Sequence, residues 1–211
     1  MDERILRTME ALRKNKMKPF FAENRDELFK IIRELIKDDK LITAGGSMTL
    51  RECGVTDMLM NEYEGIFLDR SAAKNPEETG EIFRKAFVSD TFFASSNAIT
   101  ENGELYNVDG NGNRVSAMIF GPKQVVVVAG TNKIVKDIEA ARERVERIAA
   151  PKNTVRLSCE TPCAKTGECE RLRSGSPCRS DARICCSYVT LGQQRHPDRI
   201  KVIIVNENLG Y

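Results

Sequence analysis

Six of the seven cysteines in this 211-residue chain fall between Cys159 and Cys186. Four of them, Cys163, Cys169, Cys178 and Cys185, are spaced C-x5-C-x8-C-x6-C, and Cys159 and Cys186 flank them. In a reducing compartment, clustered thiols point to metal or redox chemistry more often than to structural disulfides, and an odd cysteine count suits a closed disulfide framework poorly. The segment is poor in large apolar residues. Ordering it costs roughly 1–2 kcal/mol per residue in backbone entropy, and a centre on four thiolates offsets such a cost because metal binding couples to folding. The spacing names no metal. The paired knuckles of zinc modules are absent, and so are the short ferredoxin runs. Zinc and an iron–sulfur cluster both stay open, as do reduced structural cysteines and a redox pair. Arg179 and Arg183 are expected to lower the thiol pKa values and favour thiolate.

Two glycine turns could hold a ligand. "AGGSMTLRECG" sets Gly45, Gly46, Ser47 and Thr49 between a strand and a helix. There the backbone can approach a ligand and helix N–H groups favour an anion, at the end of a strand where open α/β sheets bind ligands. It is neither a Walker loop nor G-x-G-x-x-G, and a plain tight turn is the alternative. "SSNAITENGELYNVDGNGNR" gathers Asn97, Asn107, Asp109, Gly110 and Asn113 around turn glycines. A hairpin needs only one Asn-Gly turn, so polar groups remain to meet a ligand. Glu101 precedes Asn102-Gly103, as a candidate nucleophile or base or a simple turn cap. The single histidine, His196, sits before a proline and reads as a loop residue.

These groups need a scaffold. Residues 2–17 carry an apolar stripe at Ile5, Met9, Leu12 and Met17, and Asn24 with Glu27 forms a capping signal for a second helix. "KLITAGG" and "EGIFLD" read as strands. "PEETGEIFRKAFVSD" is a helix with Pro76 in its first turn. "TFFASSNAIT" reads as a strand, "ENGELYNVDGNGN" as a turn-rich excursion and "RVSAMIF" as a strand. "QVVVVAG" fits a central parallel strand covered on both faces. "TNKIVKDIEAARERVERIAA" is a helix that Pro151 should end, and "RIKVIIVNENLGY" returns to strand. The alternation predicts an α/β fold, an open and mostly parallel sheet flanked by helices. Its expected organisation is a core over residues 1–150, a cysteine-rich insertion over 151–190, and a strand returning to the core over 191–211.

Bulk composition excludes some classes. The net charge of +2 gives no global field for nucleic acid, and no aromatic platform for bases is evident. Pro151 to Lys201 carries ten Lys and Arg against five Asp and Glu, so a basic stretch surrounds the thiols. No apolar run is long enough to span a membrane. The charged N-terminus lacks a signal-peptide core, so the expected location is cytoplasmic.

The stretches "GGSMTLRECG", "ASSNAITENGELYNVDGNGNRVSAMIFGPKQVVVVAGTNKIV", "TPCAKTGEC" and "RIC" together resemble the LUD (lactate-utilisation, DUF162) domain family over nearly the whole chain. The resemblance implies a fold like that of ribose-5-phosphate isomerase and the CoA transferases, and a link to oxidation of lactate or a related organic acid. It implies an anionic small-molecule ligand and, on Cys163, Cys169, Cys178 and Cys185, an iron–sulfur or zinc centre, with an electron-transfer protein as a partner in the first case. "TENG" around Glu101 is similar to the nucleophile stretch of class I CoA transferases, which gives a second reading as an enzyme on a sugar phosphate or acyl-CoA with structural cysteines. A non-catalytic sensor subunit is a third.

Overall fold

A computed structural model describes residues 2–211. The chain opens with α1 (Glu3–Lys14), β1 (Lys18–Ala22), α2 (Arg25–Ile36) and β2 (Ile42–Ala44). Next come α3 (Met48–Glu52), α4 (Val55–Glu62), β3 (Phe67–Leu68), α5 (Pro76–Lys85) and β4 (Thr91–Ala94). The middle holds β5 (Ala98–Thr100), β6 (Leu105–Asp109), α6 (Asn113–Ile119), β7 (Gln124–Gly130) and β8 (Ile134–Val135). The last part holds α7 (Ile138–Arg144), α8 (Ala150–Arg156), α9 (Pro162–Thr166), α10 (Glu170–Ser174), β9 (Ser187–Leu191) and β10 (Ile200–Val205).

Local chemistry starts the helices where expected. Asn24 accepts from the Glu27 backbone N–H at 3.0 Å, while the Glu27 carboxylate reaches back to the Glu23 N–H at 2.9 Å. Asn75 caps α5 in the same way, with Pro76 supplying a fixed φ and no orphan donor.

Six strands form an all-parallel sheet in the order β1-β10-β7-β4-β2-β3. Both faces are covered. Along β7, Val125, Val127 and Ala129 join the core against α1 and α6, while Val126 and Val128 face the core of α2, α3 and α4. This period of two on a strand buried on both sides explains the continuous apolar run. A second, mixed sheet has the order β8-β5-β6-β9 and packs on α7 through Ala98, Tyr106, Ala141 and Val145. Among the described residues no helix is long and apolar enough to cross a membrane.

Several local expectations are corrected. "TFFASSNAIT" is two strands in different sheets, broken at Ser95–Asn97. The "turn-rich excursion" contains β6, which pairs antiparallel with β5 across the Asn102-Gly103 turn. "RVSAMIF" is helical: Val115, Ala117 and Met118 are buried while Ile119 is exposed, the pattern of one helix face. The long helix begins at Ile138, where the Asp137 carboxylate accepts from the Ala140 N–H at 2.9 Å, so Ile134 belongs to β8. Nor does Pro151 end that helix. A π-helical turn, Val145–Ala149, joins α7 to α8, and its looser winding accommodates the proline's missing N–H.

The cysteine segment is more ordered than its composition suggests. Arg171 on α10 makes a bidentate pair with Glu146 of the π turn, at 2.6 and 2.8 Å. The Cys163 thiol is buried between the hydroxyls of Thr154 and Thr161, at 3.4 and 3.3 Å. β9 adds to the edge of the second sheet over five residue pairs.

Candidate functional site

β2, β4, β7 and β10 are parallel, so their carboxyl ends lie on one side of the sheet, where ligands of open α/β proteins bind. The loops leaving them surround a cavity of about 300 Å³, at the small end of ligand pockets. Gly46, Ser47 and Thr49 enter from β2, Ser95 and Asn97 from β4, Lys133 from β7, and Tyr211 from the tail beyond β10. The π turn and α8 close the opposite wall with Val145, Ala149 and Arg156.

Most residues of the two glycine-turn motifs meet here. Gly46, Ser47, Thr49, Asn97, Asp109, Gly110 and Asn113 line the cavity. Gly45 and Asn107 stand behind it. A side chain at Gly45 would crowd the Arg114 stem, and the Asn107 side-chain Oδ1 accepts from Arg114. Ser47 caps α3 by accepting from the Leu50 N–H at 3.2 Å. That helix has only five residues, so the expected attraction of an anion to its N-terminus is weak, and the charge in the cavity comes from side chains.

Those side chains were not legible as a set in the sequence. Arg114 is largely shielded from solvent, with 12% of its side chain exposed, and knits the walls together. It donates to the Ser95 carbonyl at 3.0 Å, the Val108 carbonyl at 2.9 Å and the Asn97 side-chain oxygen at 3.2 Å, with Asp109 at 3.8 Å. Burial lowers its pKa, against the pull of Asp109. Lys133 is 3% exposed, and its Nζ donates to the hydroxyls of Thr49 at 2.8 Å and Ser95 at 3.0 Å. Burial, then the nearby charges of Arg144 and Arg114, push it down to about 7. The Arg70 guanidinium lies directly over Gly46, where any side chain would collide with it. Burial and then Arg156 lower its pKa. Among the described residues it has no hydrogen-bond acceptor. Arg156 pairs only with neutral groups, the Tyr211 hydroxyl at 2.6 Å and Asn153 at 2.8 Å. One clue in the sequence was position: Lys133 follows the central strand by three residues, at the end where ligands bind.

Glu101 is not brought to the cavity. It sits at the β5–β6 turn, where its carboxylate pairs with Arg7 at 3.2 Å and Arg4 at 3.9 Å. Gly103, with φ +79°, lies so close to the α1 backbone that any side chain would collide with it, and Asn15 donates to the Asn102 and Gly103 carbonyls. The Asn-Gly pair therefore docks a hairpin on α1. His196 is exposed, away from the cavity.

Cys185 links the thiols to the site, since it lines the cavity wall. Its pKa is pushed up to about 12, first by burial and then by the neighbouring thiols of Cys163 and Cys169, with Cys178 contributing less. Cys169 is raised too, again chiefly by burial. Arg183 pulls Cys185 down as expected, but desolvation outweighs it, so the arginines do not make these two groups ready thiolates. The four-thiol donor set has the chemistry for zinc or an iron–sulfur cluster. In the present arrangement, however, no three Cys, His, Asp or Glu side chains among the described residues gather closely enough to hold a metal ion. Cys53 lies apart, buried beneath α3 and raised to about 11 by desolvation.

Comparison with known proteins agrees with this architecture. A DUF162 family protein from Deinococcus radiodurans superposes with a TM-score of 0.55 at 13% identity, covering 96% of each chain. At that identity the likeness concerns the fold. No curated protein matches the sequence significantly. The LUD domain family model matches residues 5–205, nearly the full span of both sheets and the cysteine segment, and the chain therefore belongs to the LUD domain family.

Proposed function

We propose that the protein binds a small organic-acid anion in this cavity and acts in the oxidation of lactate or a related acid. One observation carries the reading. Arg70, Lys133 and Arg156 face the cavity with no carboxylate within ion-pair distance among the described residues, and Asp109 is the only acidic residue in the lining. Lys133 is buried and Arg70 half-buried, and a cation so placed without a counter-ion costs desolvation energy that a bound anion repays, while Arg156 adds its charge from an exposed position. Family membership, with its association with lactate utilisation, selects an organic acid over other anions. The Arg70 fork is free to take a carboxylate in a bidentate pair, while Thr49 and Ser95 can meet a hydroxyl or carbonyl oxygen.

Calorimetric titration with L-lactate, pyruvate and inorganic phosphate tests this. Arg70→Gln should weaken binding of the preferred acid about 10- to 100-fold, the worth of one charge-assisted pair. It should not lower the unfolding midpoint, because among the described residues the guanidinium bonds no acceptor and its loss removes a desolvation cost. Unaltered affinity in the variant, or no binding of any of the three anions, sinks the reading.

The reading extends to Cys163, Cys169, Cys178 and Cys185 as holders of zinc or an iron–sulfur cluster. Its support is the four-thiol donor set itself and the electrostatic influence of Cys163, Cys169 and Cys178 on Cys185 at the cavity wall; the segment would have to contract around the group. A cluster would serve electron transfer to a protein partner, and zinc would serve as a clip. Protein purified without oxygen should carry stoichiometric zinc, or iron with acid-labile sulfide, and Cys163→Ser should lose it. Metal-free protein would leave these residues as free thiols, in a segment ordered instead by the Arg171–Glu146 pair and β9.

A further inference from the structure

We propose that Lys133 is a nucleophile that forms an imine with the carbonyl carbon of a 2-oxo acid bound in the cavity, an inference that rests on the anion-binding reading above. Three structural features converge on its amine. Lys133 is almost wholly buried yet borders the cavity, so its nitrogen meets whatever enters. Its partners among the described residues are two hydroxyls, Thr49 and Ser95, and no carboxylate there pairs with it to hold the ammonium form. Arg114 stands in the same wall and Arg144 lies nearby, so like charge adds to desolvation. A lysine desolvated beside other cations is the recurrent environment of an activated amine. The depressed pKa follows from the same geometry and leaves a large share of free amine at neutral pH.

The surroundings also suit the substrate. With Arg70 taking the carboxylate, the adjacent carbonyl carbon of a 2-oxo acid is the electrophile that remains for an amine. In the reaction the Nζ lone pair attacks that carbon, the C=O π bond breaks, and the oxygen takes a proton to give a carbinolamine. Ser95 and Thr49 lie within 3.3 Å of each other and both touch Nζ, so they can pass the proton from nitrogen to oxygen. The carbinolamine hydroxyl then accepts a second proton and leaves as water while nitrogen forms the C=N bond. Amine, 2-oxo acid and one proton thus become a protonated imine and water, with no change of oxidation state. A 2-hydroxy acid such as lactate has no such carbon, so Lys133 would distinguish the oxidised acid from the reduced one.

The test uses the full-length protein with pyruvate as probe and sodium borohydride as the external hydride donor. Borohydride should fix the imine as a stable secondary amine, one pyruvate-derived adduct per chain, and peptide mapping should place it on Lys133. L-lactate with borohydride should give no adduct. Lys133→Arg, which offers no free amine, should give none although urea unfolding shows it folded. Pyruvate binding to the native chain without a Lys133 adduct would overturn the imine while leaving the anion site standing. Adducts spread over exposed lysines would overturn it too, as would failure of pyruvate to bind, and the anion site falls with it only if L-lactate and phosphate also fail to bind.

Discussion

Arg114→Ala should lower stability by about 3–5 kcal/mol, the range found when a buried charged partner is removed from its hydrogen-bonded acceptors. For a domain of this size that is a fall of roughly 6–20 °C in Tm. The guanidinium bonds the Ser95 carbonyl at the end of β4, the Val108 carbonyl on β6, and the Asn97 and Asn107 side chains. It is therefore the polar link between the large sheet and the second one. Truncation leaves several buried acceptors without a donor and Asp109 without its nearest cation. Arg114→Lys should recover only a fraction, because a single ammonium cannot span acceptors arranged for a planar fork. Urea unfolding with a shared m-value measures the effect. A loss below about 1 kcal/mol in the alanine variant would mean that the Arg114 bonds add little to holding the two sheets together.

The second large effect is one of pH. The folded pKa of Lys133 is depressed to about 7 from its ordinary 10.5. Between those values the unfolded chain binds a proton that the folded chain does not, so stability rises with pH across that window. Below the folded pKa both states are protonated, and the full cost of burying the ammonium is present. Lys133→Met removes the group while roughly keeping its volume. Relative to this variant, the native protein should gain about 2–3 kcal/mol between pH 6 and pH 9, from a slope near 1.4 kcal/mol per pH unit above the folded pKa. The methionine variant should accordingly be the more stable of the two at pH 6. Urea titrations of both proteins at four pH values decide it. Curves that run parallel from pH 6 to pH 9 would show that Lys133 keeps an ordinary pKa, and would also remove the free amine that the imine requires. Saturating pyruvate should flatten the native slope, since the protonated imine carries the proton that the free folded lysine has given up.

Much of the scaffold is legible because its signals are local. Asn24, Ser47 and Asn75 cap helices through side chains acting three residues away, and the Val125–Ala129 run can be satisfied only in a strand covered on both faces. Seven-residue α6 was misread because over so short a span an alternating and a helical apolar pattern coincide; Val115 and Ala117 fit both, and only Met118 buried beside them separates the two. Pro151 misled because proline disrupts an ordinary turn, whereas here the π turn before it absorbs the fault.

The ligand site divides along the same line. Glycines, asparagines and small hydroxyl residues at Gly46–Thr49 and Asn97–Asn113 declare a place where backbone and polar groups stand ready, because such residues are costly in elements and useful in turns. The thiol segment declares itself by composition. The charge that selects the ligand is different in kind. Arg70, Arg114, Lys133 and Arg156 come from four separate parts of the chain, among 33 Lys and Arg residues of which most are solvated surface. What sets them apart is their convergence on one cavity, where Lys133 is buried and Arg70 half-buried without a counter-ion, and that placement is a property of neighbours distant in sequence. Glu101 shows the converse: its four-residue context looked like chemistry, and the packing of its turn against α1 put it on another face. Residue types and short spacings thus dictate where the backbone turns and which segments are core. Only the assembly of parallel strand ends decides which side chains lose their water together, and with it which of them can do chemistry.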